Sequence, residues 1–75
     1  MPGLRNNLRE LRGERGLTQA QLAETVGVSR KTINTIENRV FVPSTVLALQ
    51  IAAVLGLSVH EVFELEEDDS VSQKT

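Results

Sequence analysis

The stretch GVSRKTINTIEN, residues 27–38, sets Arg30, Lys31, Asn34 and Thr35 around two isoleucines, Ile33 and Ile36, spaced three apart. On a helix that spacing places both isoleucines on one face. The four polar side chains are then left on the opposite face and the N-terminal end. Guanidinium and ammonium groups donate hydrogen bonds, and no nucleophile, base and orienter can be assembled around them, so catalysis is not the chemistry on offer. The set is suited instead to neutralising phosphates and to base edges: Arg or Lys donates to guanine O6 and N7, and a threonine methyl packs on that of thymine. Two cations at the start of a helix sit unfavourably near the positive end of its dipole. A solvated helix start has no use for that placement, which counts toward a binding role.

The elements that must position these residues are legible from caps and periodicity. Leu4, Leu8 and Leu11 recur at helical spacing, predicting a first helix from about Leu4 to Arg15 with Gly16 as its left-handed stop. Thr18 with Gln21 is a capping box for a second helix, with Leu22, Ala23 and Val26 inward and Gly27 at its end. Ser29 caps a third helix through the amide of Lys31 or Thr32, and that helix runs to near Asn38. Phe41, Val42 and Pro43 form a connector. Ser44 or Thr45 starts a fourth helix, with Leu47, Ile51, Val54 and Leu55 on one side, stopped by Gly56. Ser58 with Glu61 opens a short fifth helix containing Val59, Val62 and Phe63, and FELE, residues 63–66, is long enough for one short strand. Two short helices joined by a tight glycine turn are the geometry of a helix-turn-helix, whose second helix enters the major groove of DNA. That geometry needs a small residue where the helices approach, Ala23, a turn-forming Gly27, and a clamp of Leu22, Val26, Val28, Ile33 and Ile36; every position complies.

Composition narrows the alternatives. At 75 residues the chain is one small domain near the size at which a core only just outweighs conformational entropy, so a partner copy would help. With no cysteine and a single histidine, His60, no disulfide, thiolate site or zinc or haem constellation is available, and no cofactor is expected. His60 reads as a surface residue of the fifth helix. No apolar run is long enough for a bilayer and the N-terminus lacks a secretory core, so a cytoplasmic protein is expected. The net charge of −2 hides an asymmetry: up to His60 there are seven bases against four acids, or +3, while Glu61 to Asp69 holds six acids and no base. Such a body can meet a polyanion, and such a tail would be repelled by one. The expected organisation is a domain over residues 4–63 followed by an acidic, flexible tail over 64–75.

The run LRELRGERGLTQAQLAETVGVSRKTINTIEN, continued by PSTVLALQIAAVLGLSVHEVF, resembles the lambda-repressor-like, Cro/C1 or XRE-type helix-turn-helix regulators, particularly their short stand-alone bacterial members. The resemblance implies an all-α, compact five-helix domain that binds double-stranded DNA, as a homodimer on a (pseudo)palindromic operator, most often as a repressor of transcription. It places Arg30, Lys31, Asn34 and Thr35 at base edges. Thr18, Ser29, Thr32, Asn38 and Arg39 fall toward the DNA backbone, and Gln19 toward a phosphate or a base at the site edge. It makes Arg12 and Glu37 a partly buried salt bridge that orients the third helix. Arg39 departs from the family, which commonly has glycine there; either Asn38 takes the left-handed conformation or the turn differs. Val59, Val62, Phe63 and Leu65 are the residues this resemblance assigns to a dimer interface. A different class of reading, an antitoxin-like or adaptor module that uses the same fold to grip another protein, draws its support from the acidic tail.

Overall fold

The computed structural model describes residues 3–66. Along the chain run β1 (Leu4–Asn6), α1 (Leu8–Glu14), α2 (Gln19–Val26), α3 (Arg30–Glu37), α4 (Thr45–Leu55), α5 (Val59–Val62) and β2 (Phe63–Leu65). The five helices enclose one core of Leu8, Leu22, Ala23, Ile33, Ile36, Leu47, Ile51, Ala52, Leu55, Val62 and Phe63, all 8% exposed or less. Every helix after the first begins where its cap sequence predicts. The side chains of Thr18, Ser29 and Ser44 accept from the amides of Gln21, Thr32 and Leu47. The Glu61 carboxylate accepts from the Ser58 amide at 3.0 Å.

The first predicted helix begins too early. Leu4–Asn6 is a strand, paired antiparallel with β2 in the register Leu4↔Leu65, Arg5↔Glu64 and Asn6↔Phe63. Helical spacing of Leu4, Leu8 and Leu11 is compatible with either state, and the partner strand, almost sixty residues away, decides between them. Asn6 enforces the break: its side-chain oxygen accepts from the Leu8 amide at 3.1 Å, and its Nδ2 donates to the Ile36 carbonyl at 2.9 Å. The same pairing moves the domain boundary. Glu64 and Leu65 lie in β2, and the Glu66 amide donates to the Gly3 carbonyl at 2.8 Å, so residues 64–66 belong to the fold rather than to a tail. The rest of the expected acidic tail, residues 67–75, lies outside the described residues.

Four helices end in one way. The amide of the turn residue, one or two positions past the helix, bonds to a carbonyl three residues back, and the next amide to one five back: Gly16 and Leu17 after α1, Gly27 and Val28 after α2, Arg39 and Val40 after α3, Gly56 and Leu57 after α4. This is the Schellman arrangement, which requires a left-handed residue at its turn. Gly27 meets the requirement with φ 76°. After α3 the left-handed residue is Arg39 itself, φ 63°, and Asn38 remains at φ −88°. The departure from glycine therefore changes the residue without changing the turn. A β-carbon in this region costs about 1–2 kcal/mol. Arg39→Gly is accordingly expected to be more stable than Arg39→Ala by about 1 kcal/mol in urea unfolding, since both lose the side chain and only glycine removes the backbone penalty. Equal stabilities would mean that residue 39 is not left-handed in solution.

Candidate nucleic-acid interface

α2 and α3 are packed together, and Leu22 and Ala23 of the one and Ile33 and Ile36 of the other lie in the same core, all fully or almost fully buried. The isoleucines are thus the inner face of α3. Arg30 and Lys31 in its first turn are exposed, and neither makes an ion pair among the described residues. Ser29 Oγ accepts from the Thr32 amide at 3.2 Å and lies 3.0 Å from Thr32 Oγ1, so both hydroxyls are engaged in starting the helix. Thr35 Oγ1 lies 3.0 Å from the carbonyls of both Lys31 and Thr32, so its single proton is used within the helix. What Thr35 retains for a ligand is its methyl and its acceptor lone pairs. Asn38 Nδ2 donates to Asn34 Oδ1 at 3.2 Å, one turn apart on the same face.

Behind this face stands the carboxylate of Glu37, whose side chain has no exposed surface although its main chain keeps some. An acid in the last turn of a helix is opposed by the helix dipole, and burial opposes its charge further. Four donors offset both. Arg12 reaches it with Nε at 2.7 Å and Nη2 at 3.2 Å, Gln19 Nε2 at 3.0 Å, and Arg9 Nε at a marginal 3.5 Å. Arg12 also donates through Nη1 to the Leu17 carbonyl at 2.8 Å. Burial pushes the Glu37 carboxyl upward, but the hydrogen bonds from Arg12 and Gln19, helped by the guanidinium charge and by Arg9, outweigh it and leave the group below the usual glutamate range. The hydrogen bond to Glu37 raises Arg12 in turn. A sequence pair has become a four-residue junction that joins α1, the start of α2 and the end of α3.

Several expected contacts lie elsewhere than the sequence suggested. Gln19 faces Glu37, so its amide protons are not simply free for phosphate. Arg39 pairs with Glu66, and its charge is met within the fold. Val62 and Phe63, expected at a dimer contact, are 1% and 6% exposed and form part of the core, because the turn from α5 into β2 carries both inward. Leu65 is 64% exposed and Val59 is half-buried. Val54, expected inward, is 38% exposed. Thr18 is exposed, and its oxygen accepts from Gln21 while leaving its own proton available. Sequence reasoning missed Arg9, though it stands one helical turn before Arg12, and it missed Val40 and Phe41, exposed beside α3 with no polar group to draw notice.

A helix pair closed by a left-handed glycine turn, with exposed cations in the first turn of the second helix, defines a helix-turn-helix domain. The chain belongs to the Cro/C1-type (XRE) helix-turn-helix family, whose model HTH_3, described as helix-turn-helix, matches residues 8–62. The uncharacterized HTH-type transcriptional regulator YgzD of Bacillus subtilis (strain 168) is 42% identical over 66 residues, covering 88% of this chain and 100% of the relative. An uncharacterized HTH-type transcriptional regulator of Methanothermobacter thermautotrophicus is 47% identical over 66 residues, covering 87% of this chain and 96% of the relative. Among solved structures, the master regulator for biofilm formation SinR in complex with DNA aligns with a TM-score of 0.66 at 33% identity, covering 71% of this chain and 86% of that one. The fold and the relatives are those of DNA-binding transcriptional regulators, not of enzymes. No helix among the described residues is long and apolar enough to cross a membrane.

The junction has a pH signature. The folded-state pKa of Glu37 lies below its unfolded value, so the unfolded chain binds more protons in the acid range and stability there rises with pH. The contribution is present above the unfolded value of about 4.3 and is lost as pH drops through the lower folded one. Glu37→Gln is expected to be less stable than the parent at neutral pH by about 3 kcal/mol, because Arg12 loses its counter-charge. It should also show a shallower acid decline, so that the two urea-midpoint curves converge as pH falls. Parallel curves would show that the Glu37 charge is not what the junction holds.

Proposed function

We propose that this protein is a sequence-specific repressor that binds a (pseudo)palindromic operator as a homodimer, with α3 of each copy in a major groove. The observation that carries the reading is the exposed Arg30 and Lys31, without an ion pair among the described residues, on a helix whose far end is anchored by the Glu37 junction. Arg30 and Lys31 donate to guanine edges, Asn34 supplies an amide for a base or a phosphate, and Thr35 offers its methyl to thymine. Thr18, Ser29, Thr32 and Asn38 lie toward the phosphates. Gln19 approaches them with its backbone amide at the start of α2, its side chain being committed to Glu37. Arg39 joins the backbone contacts only by exchanging Glu66 for a phosphate. Two half-sites about 34 Å apart would accommodate the pair of helices. Of the residues assigned to the dimer contact, Leu65 and Val59 carry the proposal.

Selection from a random duplex pool should return a consensus. Arg30→Ala should then relax preference at one or two base positions, costing about 1–3 kcal/mol of discrimination, while Thr18→Val weakens binding evenly across sequences. Affinity should also fall steeply with salt. No consensus, or weak salt-insensitive binding beside a stable complex with another protein, would favour the adaptor reading instead. For the dimer, Leu65→Lys is expected to shift the sedimentation coefficient of the free protein toward that of a monomer at micromolar concentration, with the helical circular dichroism retained. A parent protein that already sediments as a monomer on operator DNA would remove the homodimer.

A further inference from the structure

An open groove of about 290 Å³ lies along α3, lined by Ser29, Lys31, Thr32 and Thr35 from the helix and by Val40 and Phe41 from the loop that follows it. The loop is fixed there. The amides of Val40 and Phe41 both donate to the Thr35 carbonyl, at 2.9 and 3.2 Å, and the left-handed Arg39 turns the chain back to make this possible. Two apolar side chains, 77% and 48% exposed, therefore stand directly beside the polar face of α3. Solvent exposure of Val40 and Phe41 is unfavourable in the free protein, and no residue of the described fold covers them. Thr35 Oγ1 donates within the helix and one of the Ser29 and Thr32 hydroxyls donates to the other, so the donors left to the groove are one hydroxyl proton and the Lys31 ammonium at its edge.

An occupant that covers Val40 and Phe41 must present a small apolar group, and it must arrive with negative charge around it, since Lys31 lines the same groove. The thymine 5-methyl is the apolar group that the major groove of a phosphate-flanked duplex displays. We infer that Val40 and Phe41 extend the recognition surface beyond α3 and hold the 5-methyl of a thymine in this groove, making them specificity-determining residues. The inference rests on the DNA-binding reading above and adds to it residues outside the helix-turn-helix itself.

The test compares thymine with deoxyuridine, which differs only by the methyl. On the operator returned by selection, each thymine of a half-site is replaced in turn, and affinities are measured for the parent, Val40→Ser and Phe41→Ala. Val40 is exposed enough for its replacement to leave the fold intact, whereas Phe41 also lines a second cavity, which Ile36 and Pro43 border. The parent should lose about three- to fourfold in affinity at one thymine per half-site, the effect of one buried methyl. Val40→Ser should bind thymine and deoxyuridine at that position equally, and Phe41→Ala should narrow the difference. An unchanged methyl effect in Val40→Ser would assign the methyl to Thr35 or Thr32 and overturn the inference, as would the absence of any methyl effect in the parent. Loss of self-association in Val40→Ser would give the groove to a second copy and also overturn it. Failure to select any operator would instead remove the DNA-binding reading itself, and this inference with it.

Discussion

The buried carboxylate of Glu37 is the constraint on which the recognition surface depends. It lies at the wrong end of a helix dipole and out of water, a position a carboxylate holds only when donors surround it. Arg12, Gln19 and Arg9 supply those donors from two other helices, and the Arg12 guanidinium closes the α1–α2 turn through the Leu17 carbonyl. The net stability of such a junction is modest. Its value lies in direction: planar guanidinium geometry sets the angle and translation of α3 against α1 and α2 more narrowly than apolar packing does. In the proposed complex Arg30 and Lys31 meet base edges within hydrogen-bond tolerance, which gives the two ends of α3 different tasks. The C-terminal end is anchored, by Glu37 and by Asn6 on the Ile36 carbonyl, and the N-terminal end is presented.

The turn after α3 completes this arrangement. Using arginine where glycine would be unstrained costs backbone free energy, and the side chain then reaches Glu66 beside the sheet. The ion pair is partly exposed and contributes little by itself. It does connect the turn of the recognition helix to the segment that follows β2, so the end of the fold and the edge of the interface share one contact. Val40 and Phe41 follow directly, which is why a backbone detail at residue 39 has consequences for the surface beside Thr35.

The burial of Val62 and Phe63 changes the view of the C-terminal region. A chain this short has few large apolar side chains, and Val62 at the end of α5 and Phe63, paired with Asn6 at the start of β2, both go into the core. Apolar surface then remains outside at Leu65 and, on α4, at Val46 and Leu49, three residues apart on one helical face. On α4 the inner face of Leu47, Ile51 and Leu55 is thus matched by further apolar residues on the outer side.

Local chemistry alone determined the starts of α2 to α5, the glycine stops, the inward isoleucines of α3 and the outward Arg30 and Lys31, because caps, left-handed turns and helical periodicity are properties of a few neighbouring residues. The Arg12–Glu37 pairing was legible through family resemblance. The strand at Leu4–Asn6, the inward Val62 and Phe63, the Gln19 and Arg9 contacts to Glu37 and the Arg39–Glu66 pair were decided only by the tertiary structure. Each joins groups distant along the chain, where a strand without its partner and a donor without its acceptor have no preferred state. The left-handed Arg39 belongs with them: the Schellman turn demanded that conformation of whichever residue stood there, and nothing in an arginine announces it.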